Sequence, residues 1–335
     1  KSLHGIVVKN SVEFGREIIK KYNHESSVKV GNIYHLGKTT NHSVNLSIND
    51  FAMHTLVTGA TGSGKSTTTY KLIDELRNKK IKFLVIEPTK GEYKHIFGNE
   101  NNVFVYGTNN NYTPLLKINP FSFPSEIHIL EHIDRLVEIF NACWPMYAAM
   151  PAVLKEAIEE IYIEKGWDLE FSINTKEYPE YPEFKDLVEV LPRIIERSGY
   201  SEEVKSNYKG ALVTRVKSLT NGIIGKIFTS DELESKKLFG ENTIIDLSRV
   251  GSIETKSLLM GIIFLKLQQY RLSNATSANE KLKHVTIIEE AHNLLKKTTT
   301  EQSSEGSNVQ GKSVEMISNS IAEMRTYGEG FIIVD

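Results

Sequence analysis

The stretch TLVTGATGSGKS, at residues 55–66, decides the fold. Its last eight residues, 59–66, match the phosphate-binding pattern G-x-x-x-x-G-K-[ST] at every fixed position. A short apolar run precedes this loop, and apolar residues after it recur at helical spacing, from Tyr70 to Leu76. An ordinary glycine-rich turn is the alternative, but the order strand, loop, helix is the one that phosphate binding requires. The sequence therefore predicts an α/β fold of the P-loop NTPase type.

The loop predicts a site for ATP and Mg²⁺. Its glycines let consecutive backbone N–H groups point at a phosphate, and the following helix adds its positive dipole end. Lys65 is expected to neutralise the β and γ phosphates, and the Ser66 hydroxyl to hold Mg²⁺. The predicted nucleotide-binding residues are Gly59, Ala60, Thr61, Gly62, Ser63, Gly64, Lys65, Ser66 and Thr67.

A second motif, HVTIIEEAH at 284–292, supplies carboxylates. An apolar strand runs into Glu289 and Glu290, and a strand tip can reach the metal of a phosphate loop. Glu289 is expected to hold Mg²⁺ through water, and Glu290 to polarise the attacking water. The alternative is two acids that open a helix, where the helix dipole favours them.

Two further residues are weaker candidates. Glu87 begins EPTKGEY directly after a predicted strand, at the carboxyl edge where open α/β sheets bind ligands, although a surface turn explains it equally well. Arg325 closes a predicted helix and could reach the γ phosphate of a neighbouring subunit, or simply pair with the helix dipole. Cys143 and His292 lack the companions of a metal site, and we interpret both as structural.

The periodicity divides the chain into three parts. Residues 1–50 form a β-rich segment, and 51–124 together with 220–335 form the ATPase core, with strands alternating with helices. Residues 125–219 carry apolar side chains at helical spacing and predict an all-α insertion, which either contacts a partner or only decorates the molecule. The polar stretch 297–311 is expected to be a mobile loop.

Composition excludes several classes. The 335 residues carry 40 Lys and Arg against 42 Asp and Glu, a net charge of −2, so contact with nucleic acid must be confined to a few loops or a channel. A single cysteine and the lack of a run of about 18 apolar residues favour a cytoplasmic protein without a membrane span. Because the chain stops at Asp335 after an apolar, strand-like run, we expect further residues beyond it.

The motifs together resemble those of a known family. HTLVTGATGSGKSTTTYKLIDEL, FLVIEPTKGEY, TIIDLSRVG, VTIIEEAHNLL and EMRTYGEGFIIV occur in that order, and resemble the HerA-like branch of the HerA/FtsK superfamily of ring-forming ATPases over about 28–335. The resemblance implies a RecA-like core, a homo-hexamer and double-stranded DNA threaded through its pore. It also implies that Glu290 is the catalytic carboxylate, Arg325 the arginine that acts across the subunit interface, and Glu87 an active-site acid.

The chain departs from this family in places. Glu87 and Glu289 stand where relatives often have Asp, which moves each carboxylate outward by one methylene. Members of this branch commonly act beside a separate nuclease or other effector, in DNA processing or in defence against phages. We expect Lys296, Lys297 and Lys312 to approach the pore, although solvated surface lysines are the alternative.

Other functions stay open. An ATP-dependent assembly scaffold or switch, without processive DNA movement, is the main alternative, and a conjugation or secretion ATPase is a third. An ABC transporter ATPase lacks its LSGGQ-type signature here, and a small-molecule kinase needs no residue like Arg325. Stimulation of ATP hydrolysis by double-stranded DNA separates motor from scaffold.

Overall fold

The computed structural model describes residues 26–35, 37–144, 146–291 and 318–335. The strands are β1 (Ser27–His35), β2 (Lys38–Ser47), β3 (Thr55–Val57), β4 (Lys82–Glu87), β5 (Val103–Gly107), β6 (Trp167–Asp168), β7 (Ile173–Asn174), β8 (Asn242–Asp246), β9 (His284–Glu289) and β10 (Glu329–Val334). Six of them form one parallel sheet in the order β3-β10-β9-β4-β8-β5. The predicted parallel sheet, flanked by helices, is confirmed.

The sheet register brings the chemical motifs to one edge. Val334 pairs with both Val57 and Glu289, and Glu87 pairs with Asp246. These residues are the last of their strands, and parallel strands end at the same edge, where open α/β sheets bind ligands. The phosphate loop and the carboxylates of three strands therefore meet there, although the sequence separates them by up to about 230 residues.

Helices cover both faces of the sheet. They are α1 (Lys65–Asn78), α2 (Tyr93–Phe97), α3 (Ile129–Cys143), α4 (Met150–Glu164), α5 (Phe184–Arg197), α6 (Glu202–Tyr208), α7 (Thr214–Ser218), α8 (Gly222–Ile227), α9 (Ser235–Phe239), α10 (Ile253–Ser273) and α11, whose described part covers 318–324. Shorter turns of other helical types are Ile48–Met53, Lys209–Val213 and Arg325–Tyr327.

Helix α1 packs on one face through a single apolar stripe. Leu72, Ile73 and Leu76 are buried at the spacing of one helix face, and they belong to one apolar cluster with Val85 and Ile287 of the sheet. This packing holds the helix against β4 and β9, and so fixes where its amino-terminal end meets the phosphate loop.

Helix α10 covers the opposite face and is itself covered by α3. Most of its residues are buried on every side, which is typical of a helix enclosed within a core. A side chain at Gly261 would place its Cβ 2.7 Å from Cγ2 of Ile139, so glycine permits the close approach of α3. The helix predicted from 254 to about 270 is therefore present and lies buried at the centre of this layer.

The segment 125–219 contains the predicted helices, α3 to α7. Their buried residues, including Phe140, Ile158 and Ile194, share one apolar cluster with Ile86 and Ile245 of the sheet. The helices therefore continue the core of the sheet. The small hairpin of β6 and β7 within this segment was not expected, because two residues per strand leave no periodic signal.

The N-terminal segment is described from residue 26 onward. There β1 and β2 form an antiparallel pair with two irregularities in its register. This agrees with the prediction of a β-rich segment for the described part; the rest of it, residues 1–25, lies outside the described residues.

A buried charged cluster fixes the start of β10. The Glu329 carboxylate accepts hydrogen bonds from Arg271 Nε at 2.6 Å, Thr286 Oγ1 at 2.6 Å and His284 Nδ1 at 2.9 Å. Burial alone would raise the pKa of Glu329, but the neighbouring His284 and Arg271 lower it to about 2. Glu329 is therefore ionised at neutral pH. The cluster joins β10 to β9 and α10, and holds the turn that carries Arg325.

Candidate active site

The phosphate loop is shaped by glycines that no other residue could replace without strain. Gly62 and Gly64 have φ of 79° and 96°, in the left-handed region. A Cβ at Gly59 would lie 2.5 Å from the Ser63 side-chain oxygen. Helix α1 then begins at Lys65, so the loop and the amino-terminal end of a 14-residue helix form one concave surface.

A cavity of about 330 Å³ opens on this surface, within the usual size range of ligand sites. Two of its lining residues come from outside the loop: Lys90 follows β4, and Glu290 follows β9. The remaining lining residues are Ala60, Thr61, Gly62, Gly64, Lys65, Ser66 and Thr67.

Two lysines bring positive charge to the cavity. Lys65 donates through Nζ to the carbonyl oxygen of Gly59 at 2.6 Å, and Lys90 donates through Nζ to the Ser66 hydroxyl at 3.4 Å. Cations and backbone N–H groups at a helix start favour an anionic ligand. A larger cavity of about 540 Å³ lies elsewhere, but its charged lining is mainly acidic and would repel a phosphate: Lys165, Glu180, Glu183, Lys185, Asp186, Glu189 and Glu232.

The structure separates the two adjacent carboxylates of the second motif. Glu290 has φ of 50°, an uncommon conformation for this residue type, and its backbone N–H donates to the Val334 carbonyl at 2.9 Å. This conformation departs from strand geometry, and Glu290 lines the cavity. Backbone strain of this kind is concentrated at functional sites.

Glu289 is buried and held by a tyrosine. The Tyr93 hydroxyl donates to Glu289 Oε1 at 2.8 Å, and both side chains are almost inaccessible to solvent. Burial raises the pKa of Glu289, whereas the Tyr93 hydrogen bond and the positive charge of Lys90 act in the opposite sense. Burial also raises the pKa of Tyr93, so its hydroxyl remains a proton donor at any ordinary pH. Glu289 is not among the residues that line the cavity.

Glu87 uses both carboxylate oxygens on the backbone. Oε1 accepts from the N–H of Glu92 at 2.6 Å and Oε2 from the N–H of Tyr93 at 3.2 Å, so the side chain caps the start of α2. Burial raises the pKa of Glu87 to about 7, and the two backbone hydrogen bonds oppose this. Glu87 thus lies beside the cavity, at the start of the turn that carries Lys90.

Sequence reasoning missed two residues of this region that the structure brings to the site. Tyr93 contacts Glu289 across 196 positions of sequence, and Lys90 reaches the phosphate loop. Lys94, in α2, pairs with the buried Asp246 at 2.5 Å and so anchors α2 to β8. The one available signal was the position of EPTKGEY immediately after a strand, at the carboxyl edge.

Arg325 is not brought to the phosphate loop of its own chain. It is exposed on the turn Arg325–Tyr327, which precedes β10, whereas the loop lies beyond the other end of that strand. Six residues of strand span roughly 20 Å. Arg325 therefore lies at the opposite edge of the sheet.

Burial raises the pKa of the Cys143 thiol to about 12, which makes it unreactive and agrees with a structural role. Among the described residues, no group of three His, Cys, Asp or Glu side chains could hold a metal by itself. His292, Lys296, Lys297, Lys312 and the polar stretch 297–311 lie outside the described residues.

The residues present fit a Mg²⁺ nucleotide. Gly62 and Gly64 of the cradle have left-handed φ, which glycine adopts without strain, and Ser66 lines the cavity together with Lys65 and Lys90. Ser66, which lines the cavity, would hold the metal directly, as hard oxygen ligands do for Mg²⁺. The bound ion would neutralise phosphate charge.

Comparisons with known proteins bear on the family and the fold of this chain. A family model described as "Helicase HerA, central domain" matches residues 28–267. No curated protein matches the chain. Within the described residues, no helix has the length and apolarity that crossing a membrane requires.

Solved structures with similar folds include VirB4 of Thermoanaerobacter pseudethanolicus, with a TM-score of 0.67 and 17% identity over 92% of this chain and 77% of that one. The unbound bacterial conjugative coupling protein TrwBΔN70 has a TM-score of 0.60 and 12% identity, over 95% of this chain and 68% of that one. The plasmid coupling protein TrwB in complex with ADP and Mg²⁺ has a TM-score of 0.58 and 12% identity, over 95% of this chain and 69% of that one. At these identities the likeness establishes the fold.

Proposed function

This chain belongs to the family of the HerA helicase central domain, in the HerA/FtsK superfamily of P-loop ATPases, and from that premise we propose that it is an ATP-hydrolysing ring motor acting on double-stranded DNA. The observation that carries the ATPase proposal is the cavity in which a glycine-rich loop with Lys65 and Ser66 shares its walls with Glu290. The complex of TrwB with ADP and Mg²⁺ supports the same choice of nucleotide and metal.

The residues divide the chemistry among them. Backbone N–H groups of the loop and Lys65 bind the phosphates, and Ser66, with Glu289 through water, would hold Mg²⁺. Glu290 orients the attacking water and accepts its proton as the water attacks the terminal phosphate. Glu87 acts on the site by capping α2.

A homo-hexamer completes the site. Arg325 lies too far from the phosphate loop of its own chain to stabilise charge there, so it serves the nucleotide of the neighbouring subunit.

The core of 51–124 and 220–335 forms the motor, and the segment 125–219 provides a surface for a separate nuclease or other effector in DNA processing or anti-phage defence. The site of action is the cytoplasm.

The matched pair Lys65→Ala and Glu290→Gln tests the active site. Lys65→Ala should lose ATP affinity and hydrolysis together, because its ammonium acts on bound phosphate. Glu290→Gln should bind ATP and Mg²⁺ normally but hydrolyse ATP at least ~100-fold more slowly. Lys236→Ala, which removes an exposed lysine from α9 at the other edge of the sheet, is the control and should match the wild type. Near-normal turnover in Glu290→Gln would remove Glu290 from the catalytic role.

An ATP-dependent scaffold or switch for an effector is the second candidate. The net charge of −2 favours it, because such a chain repels DNA unless its basic residues are gathered along a pore. In that case ATP would be hydrolysed at the same site, but double-stranded DNA would not accelerate turnover.

A further inference from the structure

Lys90 occupies an unusual position for an exposed lysine. It lies between β4 and α2, three strands away from β3 in the sheet, yet its Nζ is 3.4 Å from the Ser66 hydroxyl of the phosphate loop. Together with Glu290 it forms the part of the cavity wall that comes from outside the loop. A lysine whose only role is to be solvated at the surface would point into water, whereas Lys90 lines a cavity that fits phosphate.

The turn around Lys90 is fixed on both sides. Before it, β4 ends in the buried Glu87, whose carboxylate accepts the N–H groups of Glu92 and Tyr93. After it, Gly91 has φ of 69°, and a Cβ there would lie 2.9 Å from the Ser248 hydroxyl. Any side chain would be strained at this position, so the backbone on either side of Lys90 is restricted.

The charge of Lys90 is available to a ligand. Lys94, the next lysine along the chain, lies in α2 and is paired with Asp246 at 2.5 Å. Among the described residues, Lys90 makes no ion pair within 4 Å, and its hydrogen-bond partner is the neutral Ser66 hydroxyl. Its positive charge also acts on Glu289. Burial raises the pKa of Glu289, and the charge of Lys90 lowers it. An exposed ammonium beside a phosphate loop favours binding of negative charge.

We propose that Lys90 is a second phosphate-binding lysine, which contacts the terminal phosphate of ATP. This rests on the proposed ATPase function. The terminal phosphate is assigned because Glu290, which orients the attacking water, must face that phosphate, and Lys90 lines the cavity beside it. Lys90 then distinguishes ATP from ADP, since ADP has no group at that position.

Nucleotide binding, measured by titration calorimetry with Mg²⁺ and either ADP or a non-hydrolysable ATP analogue, tests this directly. Lys90→Ala should weaken binding of the ATP analogue about tenfold or more while binding of ADP changes little, because a hydrogen bond to a charged group is lost only with the longer nucleotide. Lys90→Arg keeps the charge and should recover most of the difference. Lys236→Ala should bind both nucleotides as the wild type does.

The outcomes distinguish a failure of the Lys90 assignment from a failure of the proposed ATPase function. If Lys90→Ala keeps the wild-type ratio of the two affinities while Lys65→Ala abolishes both, Lys90 has no contact with the terminal phosphate and the ATPase site stands. An equal loss of both nucleotides in Lys90→Ala also overturns the assignment to the terminal phosphate. If Lys65→Ala binds both nucleotides normally, the proposed function itself fails.

Discussion

Replacing Tyr93 by Phe removes a single hydroxyl from the centre of the site. The ring is fully buried and meets Tyr70 edge-on, with ring centroids 4.9 Å apart, so its packing survives the change. Among the residues that the structure describes, the hydroxyl bonds the Glu289 carboxylate, at 2.8 Å. The substitution therefore tests whether this tyrosine positions the carboxylate that we assign to Mg²⁺.

The expected loss of stability follows from the chemistry of that bond. A hydrogen bond to a charged group contributes about 1.5–3 kcal/mol, and the buried carboxylate oxygen would be left without this donor. The loss should be largest at high pH, where Glu289 is ionised, and should shrink as the pH falls and the carboxyl becomes neutral. Without the donor the pKa of Glu289, already raised by burial, should rise further, so the acid limb of ATP hydrolysis should move to higher pH.

Urea unfolding at several pH values and a pH profile of Mg²⁺-dependent ATP hydrolysis measure these effects. Tyr70→Phe is the matched control, since its hydroxyl bonds the exposed Glu92 at 3.2 Å and its removal should cost below about 1 kcal/mol. The control should leave the acid limb unchanged. Equal, small effects of the two substitutions on stability and on the pH profile would refute the positioning role of Tyr93.

Further predictions concern Arg325 and Glu87. Arg325→Ala should bind ATP yet be nearly inactive, since an arginine finger contributes roughly 10³–10⁵ in rate, and mixed rings with Glu290→Gln should recover part of the activity. Mixed rings that mass measurement confirms but that stay inactive would assign Arg325 another role. Because burial raises the pKa of Glu87 to about 7, its contribution to stability is complete below the ordinary carboxyl pKa and is lost as the pH rises through 7. Urea unfolding between about pH 4.5 and 8 should therefore show the wild type losing on the order of 2–3 kcal/mol relative to Glu87→Gln, and parallel curves would contradict this.

The strands of the main sheet could be predicted from sequence because each is a short apolar run. Buried parallel strands carry apolar side chains on both faces, and this signal stands out beside glycine-rich turns. The phosphate loop was equally accessible, since its glycines and Lys65 act through local backbone geometry. The β6 and β7 hairpin left no signal, as each strand has only two residues.

The arrangement of the carboxylates could not be predicted in the same way. Neighbouring residues of a strand point to opposite faces only while the strand continues, and the sequence does not say at which residue it ends. Glu289 keeps strand geometry and lies against Tyr93, whereas Glu290 leaves it with φ of 50° and lines the cavity. The contacts of Tyr93 and Lys90 depend on the order of strands in the sheet, which no local pattern encodes.

A motor that moves double-stranded DNA couples ATP hydrolysis to the DNA, so the rate of hydrolysis should be followed as double-stranded DNA is added. We predict that DNA accelerates hydrolysis by the assembled ring with its effector, independently of base sequence, and that the effect weakens steeply with salt as phosphate contacts release counterions. Joint replacement of Lys296, Lys297 and Lys312 should flatten that salt dependence and leave unstimulated hydrolysis intact. A ring that neither binds double-stranded DNA at low salt nor hydrolyses ATP faster in its presence would contradict the motor and favour the scaffold.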